Sequence, residues 1–70
     1  MRTTINGVEY VSGYEFLDEF VATTEAAISW REEGIPYKRA EELDMEEHGS
    51  EYYYPVEACH AWFRGEEVAV

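Results

Sequence analysis

The sequence contains one cysteine, one lysine and no apolar run long enough to cross a membrane. Because Cys59 is alone, it cannot form an intramolecular disulfide, and nothing in the cysteine usage favours a secreted, oxidising setting. Residues 1–10 also lack the apolar core of a signal peptide. We therefore expect a cytoplasmic protein with no membrane partner.

The sequence has only five basic residues against sixteen acidic ones, which gives a formal net charge of -11. The acids are spread along the whole chain, so the molecule repels nucleic acid and attracts basic partners. A hydrophobic fraction of 46%, of which much is aromatic, nevertheless predicts a folded domain and not a disordered acidic tail. Seventy residues suffice for one small domain over residues 1–70.

The N-terminal third carries two strong local signals. The Asn-Gly pair at residues 6–7 separates two runs rich in β-branched and aromatic residues, which is typical of a tight hairpin. Ser12 and Glu15 then fit a capping box, which predicts the start of a helix. The predicted elements are strands near residues 3–5 and 8–11 and a helix over roughly 13–20.

A second helix is predicted directly afterwards. A threonine at 23–24 can cap it, Gly34 can end it in the left-handed conformation, and Pro36 prevents its continuation. Ala27 and Trp30 are three residues apart and should face the core. Two short helices joined by a few residues form a helix-turn-helix.

The remaining residues predict a loop, a strand and a last helix. The acidic segment 36–50 has no clear period, although it is rich enough in helix formers to hold a helical turn. The run EYYYP predicts a strand in which Tyr52 and Tyr54 face one way and Tyr53 the other. The last helix is amphipathic, with its apolar residues at Val56, Cys59, Trp62 and Phe63. A loop between strands after a helix-turn-helix is a wing.

The runs FVATTEAAISWREEGIPYKR and GSEYYYPVEACHAWFRGEE resemble the MerR-like winged-helix domain of phage excisionases and of lambda-type terminase small subunits. That pattern has a Trp in the second helix, then Gly-apolar-Pro, a wing, a strand and an apolar-x-x-Trp-apolar helix. The matching residues are Trp30, Gly34, Ile35, Pro36, Tyr54, Cys59, Trp62 and Phe63. The resemblance implies an α+β fold, a small winged helix-turn-helix domain with an N-terminal β-hairpin and a C-terminal helix.

In this family the second helix enters the major groove of DNA and the wing meets the backbone or the minor groove. Carried over to this chain, the positions that would face the major groove of DNA are Thr24, Glu25, Ile28, Ser29 and Glu32. The basic residues of the helix and the wing are Arg31, Lys38 and Arg39. The family often has Arg, Lys or Gln on this helix, so the acids here depart from its pattern.

Two functions follow from this combination. The first is a small phage or prophage DNA-binding protein for packaging, excision or transcription control, acting as a homodimer or beside a larger protein. The second is an acidic interaction module, in the extreme a DNA mimic, that binds a basic surface of a host or phage protein. Ile28 lies about 100° from Ala27 around the helix, so it faces the solvent or a partner.

The sequence offers little for catalysis or metal binding. His48, Cys59 and His60 are metal-ligand types, but adjacent helical residues point about 100° apart and a zinc site needs about four converging ligands. None of the acids accompanies a nucleophile, a general base or a glycine-rich loop. We therefore predict no enzyme, no cofactor, no metal and no small-molecule substrate.

Overall fold

The computed structural model describes residues 2–66. In chain order its elements are β1 (Thr3–Ile5), β2 (Val8–Ser12), α1 (Gly13–Glu19), α2 (Thr24–Glu33), β3 (Lys38–Arg39), β4 (Tyr52–Pro55) and α3 (Val56–Arg64). Two short 3-10 helices, Ala40–Leu43 and Glu46–His48, lie between β3 and β4. The predicted α+β class, with an N-terminal hairpin and a C-terminal helix, is confirmed.

The four strands form one antiparallel sheet in the order β1-β2-β4-β3. The central pair joins β2 to β4, which are far apart in the sequence, and aligns Val11 with Tyr54. Residues opposite each other in a ladder project to the same face of the sheet. This register therefore decides which side chains of β3 and β4 meet the helices.

The predicted turn and caps are present. Asn6 and Gly7 both have positive φ, as a two-residue hairpin turn requires. The Ser12 hydroxyl accepts from the Glu15 backbone N–H at 3.4 Å, and the Glu15 carboxylate accepts from the Ser12 backbone N–H at 3.2 Å, which completes the capping box. These side chains satisfy amide groups that a helix start leaves without partners.

The second helix also has the predicted ends, and the turn before it is strained. The Thr23 hydroxyl accepts from the Ala26 backbone N–H at 3.1 Å. Gly34 ends the helix with a left-handed φ of 112°. Val21, between α1 and α2, has a φ of 49° and is 93% exposed. A β-branched residue rarely adopts this backbone conformation, so the connection between the helices carries local strain.

Both faces of the sheet are covered, each by a different part of the chain. The three helices cover one face, where Tyr54 and Val11 meet Phe16 of α1 and Cys59 of α3. Tyr53 lies on the other face with Tyr10, Ala40 and Met45. The predicted alternation of the three tyrosines is therefore confirmed.

The acidic segment holds the helical turn that its helix-forming residues allowed, as two 3-10 helices, and it also contains the short strand β3, which the sequence did not indicate. Its two 3-10 helices bring Ala40 and Met45 into the far-face cluster, and both residues are buried. The physical reason is that Tyr10 and Tyr53 present apolar surface on that face, and burying this surface away from water stabilises the fold. The carboxylates of the same segment stay on its outer side, where Glu41, Glu46 and Glu47 are exposed.

Within residues 2–66, no helix has the length and apolar character needed to cross a bilayer.

Candidate functional site

A groove of about 430 Å³ runs between the two helices of the predicted helix-turn-helix and the loop that enters β4. Tyr14 and Leu17 of α1 form one wall, and Thr24, Ile28 and Arg31 of α2 form the second. The loop residues Gly49, Ser50 and Glu51 and the rings of Tyr52 and Tyr54 close the third side. The groove therefore joins the predicted recognition helix to the predicted wing.

Ser50 fixes the geometry of the groove. Its hydroxyl accepts a hydrogen bond from the Gly13 backbone N–H at 3.1 Å and donates to the Tyr52 carbonyl at 3.0 Å. One side chain thus ties the start of α1 to the start of β4. A Cβ on Gly13 would lie 3.6 Å from the same hydroxyl, which is ordinary contact.

Arg31 is held in the groove by two tyrosines. Its Nη1 donates to the Tyr54 hydroxyl at 2.8 Å, and its guanidinium carbon lies 4.1 Å from the centre of the Tyr52 ring. A guanidinium stacked on an aromatic face is attracted by the ring quadrupole, and the stacking fixes its plane. Within residues 2–66, no carboxylate forms an ion pair with Arg31.

The other predicted residues of α2 divide into two groups. Thr24 and Ile28 share the groove with Arg31, and Ile28 is 44% exposed. Glu25, Ser29 and Glu32 are exposed outside the groove, on the outer side of the helix. This split follows from the helical period, since Thr24, Ile28 and Arg31 are separated by four and three residues. The groove side of α2 is thus free of carboxylates, and the outer side is acidic.

Lys38 and Arg39, the two bases of the predicted wing, lie on opposite faces of the sheet. Arg39 is opposite Tyr52 and projects toward the helices, whereas Lys38 is opposite Tyr53 and projects to the far face. Lys38 there borders a separate cavity of about 360 Å³ with Ile5 and Leu43. Lys38 and Arg39, the only clustered bases of the sequence, therefore cannot contact one partner surface together. Of the two, only Arg39 lies on the same side of the sheet as Arg31.

Most other basic side chains of the described residues are neutralised by acids. Arg39 forms ion pairs with Glu41 at 3.6 Å and with Glu51 at 3.4 Å. The remaining arginine pairs are Arg2 with Glu9 and Glu19, and Arg64 with Glu66. All these pairs are solvent-exposed and contribute little stability. They do lower the number of cations that are free to meet an anionic partner.

Several groove residues were not identified from the sequence. Tyr14 is 81% exposed at the rim, and Ser50 and Glu51 form the loop wall. Tyr14 had a local signal, because it lies two residues after the helix cap Ser12 and is out of phase with Phe16 and Phe20 of the apolar face. Tyr52 and Tyr54, which contact Arg31, had no such signal, because each lies more than twenty residues from Arg31 in the sequence.

Two buried side chains have altered acidity. Burial raises the pKa of Tyr54, and the hydrogen bond and positive charge from Arg31 partly offset this rise. Burial also raises the pKa of Cys59 to about 12, and its thiol donates to the Pro36 carbonyl at 3.4 Å. Both groups therefore remain protonated at neutral pH, and Cys59 is an unreactive core residue.

The candidate metal ligands of the sequence are separated. Cys59 faces the core, the His60 Nε2 lies 3.7 Å from a Glu19 carboxylate oxygen, and His48 is next to Glu47 on the surface. Within residues 2–66, no three side chains of the metal-ligating types converge.

No protein-family model matches this chain, and neither the curated proteins nor the solved structures gave a match to it. Its function is therefore inferred from the groove, the outer face of α2 and their charges.

Proposed function

We propose that this chain is a small winged-helix DNA-binding protein of phage or prophage type, acting in packaging, excision or transcription control. In this proposal α2 is the recognition helix and the β3–β4 hairpin with its loop is the wing. The observation that carries it is the groove between them, which Arg31 lines. Arg39 lies outside the groove but on the same side of the sheet, opposite Tyr52. A helix and a hairpin that flank one groove suit the contact of both elements with one duplex.

The charge distribution sets how strongly such a protein binds DNA. Affinity for DNA comes largely from the neutralisation of phosphates by Lys and Arg. Arg31 forms no ion pair among residues 2–66, whereas Arg39 is paired with Glu41 and Glu51, so we expect a slope of only about -1 to -2 in log affinity against log salt. The net charge of -11 weakens binding further. We therefore expect a homodimer, or a complex with a larger basic protein, to supply the missing affinity.

A second candidate function is favoured by the outer face of α2. Glu25 and Glu32 are exposed, and within residues 2–66 neither forms an ion pair. Ile28 lies between them in the sequence and supplies an exposed apolar side chain. Carboxylates around an apolar contact suit an interface with a basic protein surface. In this case the chain is an acidic interaction module that occupies a site where the partner would otherwise hold nucleic acid.

A titration with a short duplex of arbitrary sequence separates the two functions. At about 50 mM salt, the parent should bind DNA if the first proposal is right, and the affinity should fall with salt at the slope given above. If the parent shows no binding at high protein concentration, the DNA-binding proposal is wrong.

The matched variant is the double substitution Glu25→Lys and Glu32→Lys. It should raise affinity for any duplex, because it changes the charge of the outer face by four units, and it should weaken capture of a basic protein surface. A variant that loses a DNA affinity the parent possessed would rule out the acidic interface. It would also show that Glu25 or Glu32 contacts a base, since a carboxylate can accept a hydrogen bond from the amino group of cytosine.

A further inference from the structure

We infer that Arg31 binds one backbone phosphate of the DNA, with Tyr52 and Tyr54 as the residues that position it. This inference rests on the proposed DNA-binding function and names the contact through which the groove acts. The sequence named Arg31 among the basic residues of the helix, but it did not indicate how Arg31 is positioned, because that depends on two tyrosines brought to it by the sheet.

The hydrogen bonding of Arg31 leaves most of its donors free. A guanidinium has about five N–H donors, and the described contacts use one of them, on the Tyr54 hydroxyl. The contact with the Tyr52 ring, 4.1 Å from the guanidinium carbon, uses none of these N–H donors in a hydrogen bond. Two N–H groups on one edge can bind two phosphate oxygens side by side, which a lysine ammonium cannot do.

The charge around Arg31 favours an anion at this place in an otherwise acidic molecule. Among the described residues, Arg31 and Glu51 are the only charged side chains that line the groove, and Glu51 is already paired with Arg39. Glu41 also pairs with Arg39, so the carboxylates nearby are already engaged and Arg31 keeps a charge that no ion pair among residues 2–66 offsets. An anion that enters the groove meets a cation without first displacing a carboxylate from it.

The placement of Arg31 is also rigid before any ligand arrives. Tyr54 is buried, and its ring stacks on Phe16 with centroids 3.9 Å apart. Tyr52 is partly buried and packs edge-on against Tyr37. Because both tyrosines are fixed by packing, Arg31 loses less side-chain freedom on binding than a mobile surface arginine.

The test measures duplex affinity across a salt series for the parent, Arg31→Gln and Arg64→Gln. The Arg64 variant is the matched control, because it removes the same charge from an exposed arginine of α3 that lies outside the groove. Arg31→Gln should lower the affinity about tenfold and reduce the salt slope by about one unit. Arg64→Gln should change the affinity less than about threefold and leave the slope unchanged.

Two further variants separate charge from positioning and guard against loss of fold. Arg31→Lys keeps the charge, so it should keep the slope while the affinity falls with the loss of the bidentate contact. Tyr54→Phe keeps the ring and removes only the hydroxyl, so it should weaken binding through Arg31 and have no effect in an Arg31→Gln background. Circular dichroism melting confirms that each variant is folded before titration.

The outcomes distinguish this inference from the proposed function. If the parent binds DNA and Arg31→Gln has the same affinity and slope as Arg64→Gln, the inference is overturned while DNA binding stands. If the parent does not bind DNA, both fall together. An additive effect of Tyr54→Phe and Arg31→Gln would overturn the positioning role of Tyr54.

Discussion

Phe16 is the residue whose removal should most damage this fold. Its side chain is 0% exposed, and its ring contacts Tyr54 at 3.9 Å, Phe20 at 4.8 Å and Trp30 at 6.0 Å between centroids. Truncation to alanine removes the buried ring, leaves a cavity and deletes these aromatic pairs. Together these losses should cost about 3–5 kcal/mol of unfolding free energy.

That cost is large for a chain of this length. At about 0.05–0.15 kcal/mol per residue, a domain of this size has a total stability of about 4–10 kcal/mol. Phe16→Ala should therefore remove between a third and all of it. Phe16→Leu keeps most of the volume and should cost less than about 2 kcal/mol, so it gives a measurable intermediate.

The assay is urea unfolding followed by circular dichroism, with Tyr14→Ala as the control. Tyr14 lies on the same helix and undergoes a similar truncation, but it is 81% exposed. Its substitution should change the free energy of unfolding by no more than about 0.5 kcal/mol. Equal unfolding midpoints for Phe16→Ala and Tyr14→Ala would refute the packing described for the helix face of the sheet.

Three further outcomes are expected. Gly34→Ala should lower the free energy of unfolding by about 1 kcal/mol, because a φ of 112° strains any side chain even though no atom lies within 4 Å of the added Cβ. Val21→Gly should raise the free energy of unfolding by about 1 kcal/mol, because it releases the strain of a valine at a φ of 49°. Equal urea midpoints for the two variants would contradict both assignments. Because burial raises the pKa of Cys59 to about 12 and an unfolded thiol ionises near pH 8.5, stability should fall as pH rises from about 8.5 toward 12, by up to about 1.4 kcal/mol per pH unit. Cys59→Ala should flatten this pH dependence in urea titrations, and an unaltered slope would show that the thiol is accessible.

Short-range features of the fold could be predicted from the sequence because their causes are local. The Asn-Gly turn, the capping box at Ser12, the threonine cap of α2 and the glycine at its end each depend on a few adjacent residues. The amphipathic period of the last helix likewise placed Cys59 in the core. Where packing between distant segments was involved, prediction was poorer. The sequence pointed to Trp30 as a core residue, whereas Trp30 is only partly buried and Phe16 lies at the centre.

The candidate site was predictable in part for the same reason. The helical period alone places Thr24 and Ile28 on one side of α2 and Glu25, Ser29 and Glu32 on another, once the inward direction of Ala27 is known. The number of free cations was not predictable, since ion pairs such as Arg39 with Glu51 form across a hairpin loop. Counting bases in the sequence therefore overstated the positive charge available to an anionic partner.

By itself, the sequence determined the turns, the caps, the α+β class and a surface dominated by acids. Those properties arise from backbone preferences, side chains a few residues apart, and composition. The tertiary structure alone decided that Lys38 and Arg39 lie on opposite faces, and that Arg31 meets Tyr52 and Tyr54. The register of β4 against β2 and β3 sets both results, and that register is fixed by burying Tyr54 on one face and Tyr53 on the other.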